Sequence, residues 1–246
     1  MQTALMRFLF SIFSVTCGFA AESGTVGTKG AEALDVKAQA IIPIAAFTAD
    51  GDIERLKPAL TAGLDAGLSV NEIKEILVQL YAYAGFPRSL NGINAFMEVM
   101  KAREAEGIKD TAGKEAAPLP KDMDKDAYGA KIRRELAGWN EEPPAQGYQL
   151  FTPVIDVYLK EHLFADIFAR DVLDRRQREL ATVSALAAMH GTEGQLKFHL
   201  GAAMNTGLSA EQLQAFVAVL KAKVEQQEGK IAEQVLATVL KSRGAR

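Results

Sequence analysis

Two residues in this sequence have the types and the surroundings for acid/base chemistry: Glu179 and His199. Glu179 opens a run, Leu180 to Ala188, that is almost wholly apolar or small. His199 stands on the line Thr192, Gln195, Leu196, His199, Ala203, which is one face of a helix. A carboxylate and an imidazole on neighbouring buried helices can fix the imidazole's tautomer and move a proton. Plainer roles are open to both. Glu179 could pair with Arg175 or Arg176, and a lone histidine is often just a core or surface residue. Of the other two histidines, His190 precedes Gly191 at a helix end, where a cation suits the dipole, and His162 lies among charged residues. No spacing of His, Asp and Glu predicts a metal site, and no cofactor is expected.

The rest of the composition removes competing chemistries. Cys17 is the only cysteine, so disulfides and a CxxC redox pair are excluded. With 28 basic against 31 acidic residues, interleaved, the chain has no electrostatic footprint for nucleic acid. Hydrophobic residues at 48% of 246 are enough for a substantial core. At the N-terminus, Arg7, the apolar run Phe8 to Val15 and the small residues up to Ala21 form the pattern of a signal peptide, 1–21, cleaved near Ala20 or Ala21. The apolar run is short for a membrane span, so the mature protein is expected to be exported, periplasmic and free of the membrane. A buried N-terminal helix is the other reading of this segment. Lipid attachment at Cys17 finds little support in Ser14-Val-Thr16.

The elements that must position Glu179 and His199 are helical throughout. Leu34 to Phe47 carries a helical pattern, Thr48 to Asp52 a turn, and Ile53, Leu56, Leu60 and Leu64 recur at helical spacing up to Gly67. Ser69-Val-Asn-Glu72 is a capping box before Ile73, Ile76, Leu77 and Leu80. Gly85-Phe-Pro87 breaks that helix, and another follows through Met100. Residues 107–147 read as a linker around a short helix, Ala127 to Leu136. Helix returns from Pro153 to Phe168. Asp174 to Gln177, Thr192 to Gln195 and Ser209 to Gln212 then read as three successive helix caps, and a last helix spans Ile231 to Leu240. No strand pattern appears, so the fold class is all-α.

The chain repeats itself. Leu60-Thr-Ala-Gly-Leu-Asp-Ala-Gly-Leu-Ser69 matches Leu200-Gly-Ala-Ala-Met-Asn-Thr-Gly-Leu-Ser209 at an offset of 140, with five of ten positions identical. Upstream the offset is 139, pairing Leu34 with Leu173 and Ile41 with Leu180. The copies differ at the chemistry: Ala40 stands where the second copy has Glu179, and Ala59 where it has His199. The first copy has Gln79-Leu-Tyr-Ala-Tyr-Ala-Gly-Phe-Pro87 where the second has Val219-Leu-Lys-Ala-Lys-Val. Each copy keeps one half of a site. The expected organisation is a unit at 34–106, the linker 107–147 and a second unit at 148–246, arranged side by side as a pseudo-dimer.

Three stretches resemble the carboxymuconolactone decarboxylase family of the alkyl hydroperoxidase D-like superfamily: Arg178-Glu-Leu-Ala-Thr-Val-Ser-Ala-Leu-Ala-Ala188, His199-Leu-Gly-Ala-Ala-Met-Asn-Thr-Gly207 and Tyr83-Ala-Gly-Phe-Pro87. The resemblance implies two fused units of that helical fold. It places Glu179 and His199 at the superfamily's Glu and His positions. In the peroxidase-reductase branch those residues relay protons to a CxxC pair, which this chain lacks, so that activity is not expected. In the decarboxylase branch one unit carries both the Glu/His helices and the tyrosine–glycine–proline turn, which here fall in opposite halves.

The resemblance implies decarboxylation of a small carboxylated lactone or unsaturated acid without a cofactor. His199 would protonate carbon, with Glu179 orienting it. Arg88 would hold a substrate carboxylate, and Tyr83 and Asn91 would donate to the carbonyl oxygen. Plainer readings compete: Arg88 as a solvated first-turn residue, which its place after Pro87 favours, and Tyr83 as a packing residue. Two other functions compete: a small-molecule binding or assembly module of the same fold, and an isomerase or hydratase acting on a related acid. The apolar helix faces predict a homo-oligomer, such as a trimer of pseudo-dimers.

Overall fold

The computed structural model describes residues 33–244. The expected signal peptide, Cys17 and the lead-in up to residue 32 lie outside them. Ten α-helices follow: α1 (Val36–Asp50), α2 (Ile53–Asp65), α3 (Val70–Ala105), α4 (Lys125–Ala137), α5 (Tyr148–Phe151), α6 (Pro153–Val157), α7 (Arg175–Ala188), α8 (Glu193–Asn205), α9 (Ala210–Val219) and α10 (Gln226–Gly244). Two π-helical segments, Tyr158–Ile167 and Leu220–Val224, continue α6 and α9. No strand occurs among the described residues. The all-α expectation holds.

The core is built on α1 and α7, which pack against each other more extensively than any other pair of elements. Both are buried nearly all round, Ala40 to Ala49 in α1 and Arg178 to Ala188 in α7. A helix sealed on every side needs no polar face. The polar residues Arg178, Glu179, Thr182 and Ser184 in α7 are therefore expensive to keep there unless each finds a partner. One continuous apolar cluster runs from Leu34 through Phe96 to Val239, so both repeats share a single core.

The repeat is visible in the helix ends. Ser69 and Ser209 each close a capping box, with Glu72 and Gln212 as partners. Gly67 and Gly207 take φ of 93° and 102°, conformations open to glycine at little cost, and let Leu68 and Leu208 donate back to the carbonyls of Gly63 and Ala203. The cap expected from Thr192 does not form. Its hydroxyl turns back instead to the carbonyls of Leu186 (2.7 Å) and Met189 (3.0 Å), which ties the α7–α8 turn. The final helix is longer than its apolar pattern, beginning at Gln226 rather than Ile231.

Residues 108–120, read as linker, form an extended strap without regular structure. The strap is pinned by Arg103 to Asp110, by the Thr111 and Ala112 carbonyls to the start of α3, and by Asp171 to the Ala117 amide. Beyond it, α4 packs on the π-helical segment Tyr158–Ile167 and on α8. Ile132, Leu136, Leu163, Phe164 and Phe168 join Ala202 of α8 in a second apolar cluster.

Candidate acid/base site

Helices α7 and α8 form a hairpin whose turn is set by His190 and Gly191. Glu179 lies nine residues before the end of α7 and His199 six after the start of α8. At about 1.5 Å of rise per residue, both sit roughly two to three turns from the connection, so they face each other across the hairpin. His199 Nδ1 is 2.8 Å from Glu179 Oε2. Glu179 is fully buried and His199 is 6% exposed. The pair that the sequence singled out is formed, and neither Arg175 nor Arg176 competes for Glu179. Arg175 pairs with Glu135, and Arg176 donates to Gln212.

The third member comes from the other repeat. Tyr83, on α3, meets the His199 ring edge-on, with centroids 5.6 Å apart and planes at 80°. It packs against both apolar clusters at once. Its hydroxyl is buried beside Thr182 without forming a well-aligned hydrogen bond, and Glu179 Oε1 is buried with no partner among the described residues. Burial, and then the neighbouring Glu179 carboxylate, push the phenol far above its ordinary range. Tyr83 therefore stays a neutral donor. Two orphaned polar atoms beside a buried imidazole are costly, and such a cost is met where a ligand supplies the missing partners.

Beneath this triad lies a network that sequence reasoning missed. Arg178, fully buried, donates to Glu75 Oε1 (2.9 Å), to Gln79 Oε1 (2.8 Å) and to the Arg170 carbonyl (2.7 Å). Arg170 forks onto both oxygens of Glu75. Gln79 returns its amide to the Arg178 carbonyl and to Thr182 Oγ1, both at 2.9 Å. Burial alone would raise the Glu75 carboxyl, but Arg170 and Arg178 hold it below its usual value. The network locks the face of α3 carrying Glu75, Gln79 and Tyr83 onto α7, so it fixes where the phenol meets the Glu179–His199 pair. The signal was present in the sequence: Glu75, Gln79 and Tyr83 recur every four residues in the stretch Glu75–Ala84, whose other residues are apolar or aromatic.

Arg88 and Asn91, expected at the substrate, are not brought to the pair. Helix α3 is kinked at Gly85, whose φ of 83° and ψ of 160° are not helical, and the residues after it follow a new direction. Arg88 is exposed and donates to the Asp50 carbonyl at the end of α1, and Asn91 is exposed. His162 pairs with Asp166 at 3.0 Å, and His190 is exposed in the α7–α8 turn. Among the described residues no group of three or more His, Cys, Asp or Glu side chains could hold a metal ion. None of their helices is long and apolar enough to cross a membrane.

Residues 157–223 match the model of the carboxymuconolactone decarboxylase family, which covers 67 of the 246 residues and includes both Glu179 and His199. Over this segment the chain is similar to that family, and the matched residues include two of the three stretches that carry the resemblance. The matched segment does not reach Tyr83. No curated protein matches the chain.

Proposed function

We propose that the protein is a cofactor-independent carboxy-lyase of the carboxymuconolactone decarboxylase type, acting on a small carboxylated lactone or a related unsaturated acid. The observation that carries this reading is the buried Glu179–His199 contact at 2.8 Å, with two orphaned polar atoms, Glu179 Oε1 and the Tyr83 hydroxyl, around it. Loss of CO2 breaks the bond between carboxylate and ring carbon and leaves its electron pair on that carbon, delocalised into the lactone carbonyl as a dienolate. The neutral Tyr83 phenol donates a hydrogen bond to the developing oxyanion in a site closed to water, where such a bond is worth most. His199 as imidazolium delivers its Nε2 proton to carbon, and Glu179 holds Nδ1–H throughout. One solvent proton restores the imidazolium in each turnover.

The same reading takes the two repeats as fused units forming a pseudo-dimer, with one composite site per chain. It also takes the protein as exported through the 1–21 segment, and as a homo-oligomer. The exposed apolar residues Tyr148, Leu150, Phe151, Val154 and Tyr158 support an interface between copies. The test of the reaction is CO2 release from 4-carboxymuconolactone. Stoichiometric release supports the reading, and a folded protein that releases none removes the named reaction.

A further inference from the structure

The repeat predicts where a second site would be. At the offsets of 139 for α1 and 140 for α2 and beyond, the counterparts of Arg178, Glu179 and Thr182 are Gln39, Ala40 and Pro43. The counterparts of His199 and Tyr83 are Ala59 and Lys223. The structure has a cavity of about 390 Å³ there, and all five of these residues line it. It opens to solvent: Phe47 lies buried at its base, and Val36, Pro58, Ala62 and Ala66 form its apolar sides. Where one half of the molecule places a carboxylate, an imidazole and a phenol, the other half has Ala40, Ala59 and Lys223, with Gln39 and Pro43 beside them.

The cavity is not simply a site that has lost its groups. Its volume falls in the range of about 300–1,000 Å³ that small-molecule pockets occupy. Its walls are stiff, since Pro43 and Pro58 stand inside α1 and α2. Its rim carries two cations and no carboxylate. Arg55 is held there by Asp52 (2.6 Å) and by the Val224 carbonyl (2.8 Å), with its guanidinium 4.7 Å from the Phe47 ring centroid. Asp52 neutralises Arg55, so Lys223 supplies the net positive charge, and it makes no ion pair among the described residues.

We propose that this cavity is a second binding site, specific for a small amphipathic monocarboxylate. Its apolar body would lie on Ala40, Pro43, Ala59 and Ala62, with its carboxylate on Lys223. The alanine and proline surface offers no donor, and the amide of Gln39, the neutral polar side chain in the lining, is already bonded to the Leu34 carbonyl, which favours an alkyl or aryl body. The lysine selects acids over the corresponding alcohols. No acid/base pair is present, so the site binds without turning its ligand over. This inference rests on the repeat and the cavity, and it stands whether or not the Glu179–His199 site is a decarboxylase.

The probe is octanoate, followed by carbon–proton NMR of the alanine methyl groups in the full protein, with 1-octanol as the uncharged control. Octanoate is expected to shift the methyls of Ala40, Ala59 and Ala62. Lys223→Glu, at an exposed position, is expected to weaken octanoate by about tenfold, the equivalent of 1.4 kcal/mol, and to leave octanol unchanged. Ala59→Phe fills the cavity and is expected to abolish both. His199→Ala is expected to leave octanoate binding intact, which separates this site from the other. Octanoate that shifts none of these methyls overturns the proposal. So does octanoate that binds no better than octanol, or equally well with Lys223→Glu.

Discussion

The Tyr83 ring stands edge-on to the His199 imidazole, 5.6 Å between centroids, although the two residues belong to different repeats of the chain. In the proposed function this contact completes the site: the α7–α8 hairpin supplies the acid/base pair, and α3 supplies the phenol. The Arg178–Glu75–Gln79 network holds the two halves in register at that point.

Tyr83→Phe tests what the orphaned hydroxyl is for. An unsatisfied buried hydroxyl costs stability, so its removal is expected to raise stability by about 1 kcal/mol. If the phenol donates to the oxyanion, kcat falls by about 100-fold. Thermal unfolding and turnover measured on the same preparation check both, and the two changes should run in opposite directions.

Glu75 is expected to make the protein acid-sensitive. Its carboxyl is held below the ordinary value by Arg170 and Arg178, so its contribution is fully present above the unfolded value, about 4.3, and is lost as pH falls through the folded one. Glu75→Gln leaves Arg178 buried without its carboxylate and should cost about 3–5 kcal/mol at neutral pH. Melting temperature followed against pH should show the wild type and Glu75→Gln converging in acid.

Arg88→Ala is expected to leave KM unchanged. The guanidinium is exposed and spent on the Asp50 carbonyl, beyond the Gly85 kink. A large rise in KM would show that Arg88 swings to the substrate when it binds.

Much of this was legible in the residues. Period and capping gave nearly every helix, because local spacing determines them, and the repeat at an offset of 140 reappears in the matching capping boxes at Ser69 and Ser209. The Glu179–His199 pair was legible because the carboxylate opens the apolar and small-residue run Leu180–Ala188 and the imidazole stands on the same helix face as Leu196 and Ala203. Arg178 was harder to interpret. Beside Arg175 and Arg176 it reads as one more solvated charge, and only the packing of α3 on α7 shows that it is sealed in. Arg88 and Asn91 failed for a related reason. They are close to Tyr83 in sequence, but one glycine with positive φ sends the chain elsewhere, and spacing alone does not show that. Thr192 had the right type for a cap, yet the turn it closes claimed its hydroxyl first.

The most direct measurement is CO2 release in a single turnover by the wild type, Glu179→Gln, His199→Ala and the double variant, each checked for folding. Acting as one unit, the pair predicts that each single change slows release by about 100- to 10,000-fold and that the double variant is hardly slower than the worse single one. A His199→Ala protein that releases CO2 at the wild-type rate would contradict the account, because the proton would then reach carbon by a route that does not include the buried pair.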